Sequence, residues 1–325
     1  MLDGRLKHET PDRLSTAFLN DVSDGLFRRP RAIPARWLYD HRGSQLFEEI
    51  TRLEEYHVTR TETALLEAIA REVASLVEPG RAIVELGAGS SAKTPTLLDA
   101  LAPSAYVPID ISRDYLKESI QSLSRHFEDL PIFPVCADFL SPLVLPPEVQ
   151  GSRKLCFFPG STIGNLTPEV ATDLLRTMRS SLGDGAMLLI GMDRIGDADR
   201  LRAAYDDCDG VTAAFNLNLL HRINRELEGT IPVEAFRHKI VWDDDLARIE
   251  MHLEAKRDVA FAIEGRMFAM IAGETIHTEN SHKYGSRDAR LLLAAGGWAT
   301  IAEWSDPEGL FAIYLAEARR PPPAP

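Results

Sequence analysis

An apolar strand, Ile83-Val84-Glu85-Leu86, runs directly into Gly87-Ala88-Gly89-Ser90-Ser91-Ala92-Lys93-Thr94, and an acid, Asp110, follows the next strand-like run at 105–109. This pattern restricts the fold more than any other stretch of the chain. Glycines let a ligand come close to the backbone, and the start of a helix exposes unpaired N–H groups. A carboxylate at the end of the second strand can accept both hydroxyls of a ribose. The pattern therefore predicts a parallel sheet of the α/β class, with an adenosine-containing ligand at the glycine turn.

Three ligands compete for that turn. A phosphate-cradling loop of the form G-x-x-x-x-G-K-[ST] nearly fits 87–94, but Ala92 stands in place of the second glycine. The dinucleotide fingerprint G-x-G-x-x-G also fails at Ala92 in its strict form, although the relaxed form permits alanine there. S-adenosylmethionine (SAM) needs no pyrophosphate cradle. It wants an acidic strand end with E-x-G-x-G, an acid for ribose and a further Asp near adenine. Glu85, Gly87, Gly89, Asp110 and Asp138-Phe139 supply that series in order. A tight turn with no ligand is the plainer alternative.

Strands and helices alternate around the loop. Strands are predicted near 82–86, 105–109, 132–136, 154–158 and 186–191, and helices near 91–101, 112–127, 167–182 and 286–295. Such alternation argues for a doubly wound parallel sheet. Thr59 and Glu62 have capping-box spacing and predict a helix start. The alternation stops after Asp193. Two helices, at 198–207 and 211–227, are followed by antiparallel strands at 236–241, 249–255, 259–263 and 266–271. A final strand pair at 298–304 and 310–318 closes the sheet. The expected division is 1–60 as the N-terminal part of a second, α+β domain, 61–195 as the core, 196–283 as the inserted part of the second domain, and 284–325 as the end of the core and a Pro-rich tail.

A chain of 325 residues with 45% hydrophobic content can bury a sizeable core. A net charge of -13 without a Lys/Arg run argues against nucleic-acid binding, which draws on clustered cations. No apolar run approaches membrane-spanning length, so no membrane partner is expected. Cys136, Cys156 and Cys208 lack metal-type spacing and the histidines form no ligand motif, so no metal is expected. The reading is a reduced, cytoplasmic, monomeric protein.

Outside the loop, several residues are suggestive: Tyr39, Tyr56, Gly160 and Asn165 after a predicted central strand, Tyr205, and Glu279 with Ser281. In an open α/β sheet, ligands bind beyond the carboxyl ends of strands, which turns Gly160 and Asn165 toward a pocket. On the residues alone, Tyr39 and Tyr56 read as half-buried core tyrosines, Asn165 as a turn residue and Glu279 as a solvated acid.

Taken together with Trp37-Leu38-Tyr39-Asp40, Ile50-Thr51-Arg52-Leu53-Glu54-Glu55-Tyr56, Gly160-Ser161-Thr162-Ile163-Gly164-Asn165-Leu166, Ala204-Tyr205-Asp206-Asp207, Gly210-Val211-Thr212-Ala213-Ala214-Phe215-Asn216 and Thr278-Glu279-Asn280-Ser281-His282-Lys283, the chain resembles the SAM-dependent L-histidine Nα-methyltransferases of ergothioneine biosynthesis. The resemblance covers roughly 15–318. It implies a Rossmann-like class I SAM methyltransferase core and a substrate domain formed by the N-terminal segment and the insertion. It implies that Gly87, Lys93, Asp110, Asp138 and Phe139 line the SAM site. Gly160 and Asn165 would hold the substrate amine, Tyr39 would reach it through water, and Tyr205 would bind the carboxylate. Tyr56, Met251, Glu279 and Ser281 would surround the imidazole. The implied partners are L-histidine and its mono- and dimethylated intermediates, and the implied product is Nα,Nα,Nα-trimethyl-L-histidine (hercynine). Competing readings are an Nα-methyltransferase for another amino acid such as tryptophan, a P-loop nucleotide hydrolase, and a non-catalytic SAM-binding protein.

Overall fold

The computed structural model describes residues 7–8, 11–89 and 91–318, so the Pro-rich tail lies outside the described residues. The chain divides into two compact units, one of 1–8, 58–195 and 283–325, the other of 9–57 and 196–282.

In the first unit the described residues form an eight-stranded sheet. Its order is Lys7–His8, Val135–Cys136, Ala105–Asp110, Ala82–Leu86, Lys154–Phe158, Met187–Asp193, Phe311–Ala318 and Trp298–Ser305. The first six strands are parallel, and Phe311–Ala318 runs antiparallel to both neighbours. Every residue of Ala82–Leu86, Lys154–Phe158 and Met187–Asp193 is buried, as a sheet covered on both faces requires. The helices Thr94–Leu101, Arg113–His126, Pro168–Leu182 and Ser286–Ala295 connect the strands. The predicted parallel sheet and closing strand pair are therefore present.

Three details differ from expectation. The strand predicted at 132–136 narrows to Val135–Cys136, with one further bridge from Ile132 to Tyr106. Lys7–His8, read as part of the second domain, pairs with Val135–Cys136, where the sheet edge otherwise offers unpaired backbone groups. The capping box is absent: the helix runs His57–Leu76, placing Thr59 inside it, and Glu62 turns to charge-assisted partners described below.

The second unit joins two separate pieces of chain. Its four-stranded sheet has the order Arg31–Ala32, Thr275–His282, Arg248–Ala255 and Phe236–Asp243, with Arg31–Ala32 parallel to its neighbour and the other pairs antiparallel. The strands at Val259–Ile263 and Arg266–Met270 form their own hairpin, turned by Glu264 and Gly265 in left-handed conformation. Helices Pro11–Phe27, His41–Ile50, Ala198–Tyr205 and Val211–Glu226 complete the unit. The strand Thr275–His282 has no counterpart in the expected elements. Its sequence, Thr-Ile-His-Thr-Glu-Asn-Ser-His, is polar, yet Thr278 through His282 are all buried. Among the described residues, no helix is long and apolar enough to cross a membrane.

Candidate active site

In the first unit, the turn after Ala82–Leu86 holds Gly87 and Gly89 at φ of 66° and 49°, conformations that a side chain disfavours. The N–H of Gly87 donates to the Ile109 carbonyl at 2.9 Å, which ties the turn to the neighbouring strand. Asp110 ends that strand. Its Oδ2 accepts from the Gly89 N–H at 2.9 Å and its Oδ1 from the Ser112 N–H at 2.8 Å. Burial nonetheless raises its pKa from the ordinary aspartate value. Phe139 sits beside the turn, 3.8 Å from where a Gly87 Cβ would stand, and packs edge-on to Phe158. Its neighbour Asp138 accepts from the Leu140 N–H at 2.9 Å.

Glu85 faces inward. Its Oε2 accepts from Thr94 Oγ1 at 2.8 Å and from the Tyr106 hydroxyl at 2.7 Å, and burial pushes its pKa up to about 7. It braces the turn from below. Lys93, at the start of helix Thr94–Leu101, pairs with the buried Glu62. The same Glu62 carboxylate accepts from the Gly160 N–H, at 2.8 Å to Oε2 and 3.0 Å to Oε1. Gly160 has φ of 79° and leads into the 3-10 turn Thr162–Asn165, which ends in the half-buried Asn165. Glu62 thus connects the glycine turn to the loop that carries Asn165, a role its spacing from Thr59 did not reveal.

In the second unit, six of the singled-out residues share one neighbourhood. A β-bulge falls between His277 and Glu279, and beyond it Glu279 pairs with Met251 and Ser281 with Ile249. Residues two apart, and residues paired across strands, project from one sheet face, so Met251, Glu279 and Ser281 do so together. Bulges re-aim side chains in this way. The Tyr39 hydroxyl donates to Glu279 Oε1 at 3.1 Å. The Tyr205 hydroxyl and Ser281 Oγ are 2.7 Å apart. Aromatic edges continue the enclosure: Tyr39 meets Phe47 and Phe215, Phe47 meets Tyr56, and Tyr56 meets Tyr205.

Glu279 is therefore not a solvated acid; 6% of it is exposed, and it sits among aromatic rings. Tyr56 and Tyr205 are buried, whereas Tyr39 is half-buried. Phe47 and Phe215 were not among the expected site residues, although Phe215 lies in the family-like segment 210–216.

Residues 18–318 match the family described as histidine-specific methyltransferase, SAM-dependent. The chain belongs to this family. It is 40% identical to the histidine N-alpha-methyltransferase of Mycobacterium tuberculosis over 95% of this chain and 97% of the relative. It is 39% identical to the histidine N-alpha-methyltransferase of Mycolicibacterium smegmatis, covering 94% and 96% of the two chains. Ergothioneine biosynthesis protein 1 of Neurospora crassa is 31% identical over 85% of this chain, which spans 32% of that longer protein. The protein is thus a SAM-dependent methyltransferase. Of the residues its sequence singled out, Gly87, Lys93, Asp110, Asp138, Phe139, Gly160 and Asn165 lie in the first unit. Tyr39, Tyr56, Tyr205, Met251, Glu279 and Ser281 of the methyltransferase lie in the second.

Proposed function

We propose that the protein transfers methyl groups to the α-amine of L-histidine, three in succession through the mono- and dimethylated intermediates, giving hercynine for ergothioneine biosynthesis. The observation that carries this reading is the buried Glu279 carboxylate, which shares a sheet face with Met251 and Ser281 and is bonded by Tyr39. A carboxylate kept from water needs donors, and a ring N–H of imidazole is one. Ser281 can donate or accept, so the pair can fix the tautomer of a ring with two nitrogens.

SAM, when bound, supplies an electrophilic methyl group. The residues of the glycine turn fit such a molecule: two left-handed glycines keep the turn bare, and the Asp110 carboxylate, with about four acceptor sites, can take a ribose hydroxyl beside the backbone N–H groups it holds. In this reading Gly87, Lys93, Asp110, Asp138 and Phe139 hold SAM. The chain's remaining task is to present a neutral amine in a fixed orientation. Gly160 and Asn165 hold that amine, and Tyr205 takes the carboxylate. A neutral amide such as Asn165 orients the nitrogen without opposing its growing substitution.

The α-amine titrates above neutral pH and is largely protonated in solution, so a proton must leave before each transfer. In this reading the Tyr39 hydroxyl, which donates to Glu279, reaches the amine through a water that carries the proton away. The test is incubation with SAM and each amino acid in turn, with mass spectrometry of the products. Histidine alone should yield species heavier by one, two and three methylene units. Equal turnover of tryptophan, or binding of SAM without turnover of any amino acid, would replace this reading.

A further inference from the structure

His238 lies on strand Phe236–Asp243 and pairs with Leu253, two residues along from Met251, so it projects from the same sheet face as Met251. Its ring bridges two elements. Nε2 lies 2.9 Å from the Tyr205 carbonyl oxygen, and Nδ1 lies 2.9 Å from Asn216 Nδ2. The tautomer of the ring follows from groups that can play one part only, the backbone carbonyls as acceptors and the amide NH2 as donor. Asn216 Nδ2 also donates to the His252 carbonyl at 3.0 Å, which fixes the amide orientation, and its Oδ1 accepts from Thr278 Oγ1 at 2.7 Å. The second Nδ2 hydrogen therefore points to His238 Nδ1, which must be a lone pair. The ring proton then sits on Nε2 and is donated to the Tyr205 carbonyl. Burial lowers the imidazole pKa, in keeping with a neutral ring.

The accepting carbonyl matters. Tyr205 is the last residue of helix Ala198–Tyr205, and the terminal carbonyls of a helix have no partner within it. Asn216, fully buried, and Thr278, at the bulge beside Glu279, form the base of the same chain of bonds. Neither the spacing of the histidines nor their flanking residues indicated this role.

We propose that His238 is a positioning residue for substrate recognition, fixing through its Nε2–H the helix end that carries the Tyr205 ring to Ser281. The proposal rests on the reading of Tyr205 as a substrate contact, and the experiment separates the two. In His238→Asn the side-chain oxygen can replace Nδ1, but no atom reaches the Tyr205 carbonyl; in His238→Gln the amide nitrogen replaces Nε2. Loss of one neutral hydrogen bond predicts that His238→Asn raises the KM for histidine about 2- to 10-fold. The values of kcat and SAM affinity should be little changed, and His238→Gln should restore most of the loss. Tyr205→Phe should raise the same KM, and adding His238→Asn to it should then have little further effect, because the first residue acts through the second. A KM unmoved in folded His238→Asn, or a double variant in which the two effects multiply in full, overturns the positioning role. A KM unmoved by Tyr205→Phe overturns the contact beneath it, and the positioning role with it.

Discussion

Tyr39 and Glu279 stand 240 positions apart in the chain, and the tyrosine hydroxyl donates to the glutamate carboxylate at 3.1 Å. That bond aims a buried acid among aromatic rings, and in our reading the acid selects a substrate side chain by what it donates. Removing the carboxylate in Glu279→Ala should cost a charge-assisted hydrogen bond, lowering the efficiency ratio of histidine to tryptophan by about 10- to 150-fold. SAM affinity should stay near its original value. A ratio that does not move would remove the acid from substrate selection.

Asp110 serves the turn and, in our reading, the ribose. Asp110→Ala should weaken SAM by about tenfold or more, since hydrogen bonds to charged groups are the strong ones. Because the Gly89 N–H also loses its acceptor, a small drop in thermal stability should accompany the loss. Calorimetric titration of the folded variant decides the matter, and an unchanged affinity would place the ribose elsewhere.

Asn165, at the end of the 3-10 turn, is proposed to orient the nucleophile rather than to hold the donor. Asn165→Ala should therefore depress methylation far more than SAM binding, since orientation is what is lost. Single-turnover rates set beside SAM titrations would reveal the split; equal losses in both would make the residue a structural one.

Glu85 gives a pH signature independent of substrate. Burial raises its pKa from 4.5 to about 7 in the folded chain, so the folded state holds this proton more tightly than the unfolded state does. The associated stability is fully present below pH 4.5 and is lost as pH rises through 7. Relative to Glu85→Gln, the wild-type protein should lose on the order of 2.5 kcal/mol between pH 5 and pH 8. Urea unfolding at several pH values measures this, and parallel curves for the two proteins would contradict it.

The core strands were readable because each is a continuous apolar run between turn residues, as in Ala82–Leu86 and Met187–Asp193. Thr275–His282 was not, because its side chains meet polar partners instead of an apolar layer: Thr278 meets Asn216, His277 meets Asn280, and Glu279 meets Tyr39. A strand stabilised in that way has no hydrophobic period to detect. The glycine turn with Asp110 and the tyrosines near Glu279 were visible through motif and family likeness, whereas Phe47 and Phe215 were not singled out. Glu62 misled because a capping-box spacing shows what a glutamate can reach locally, and takes no account of a lysine and a glycine brought to it by the sheet. His238 and Asn216 owe their roles to pairing between distant elements, which local sequence does not display.

The pairing of Arg31–Ala32 with Ile276 and His277 also sets a schedule. On a ribosome adding roughly 5–20 residues per second, the early piece of the second unit waits on the order of 10–50 s for the strand that completes its sheet. For most of that interval Phe18 has Trp37 of the same early piece to pack against, but not Arg222, whose guanidinium lies over both rings in the finished protein. The growing chain therefore carries the apolar face of an amphipathic helix with only part of its final contacts until the later piece emerges.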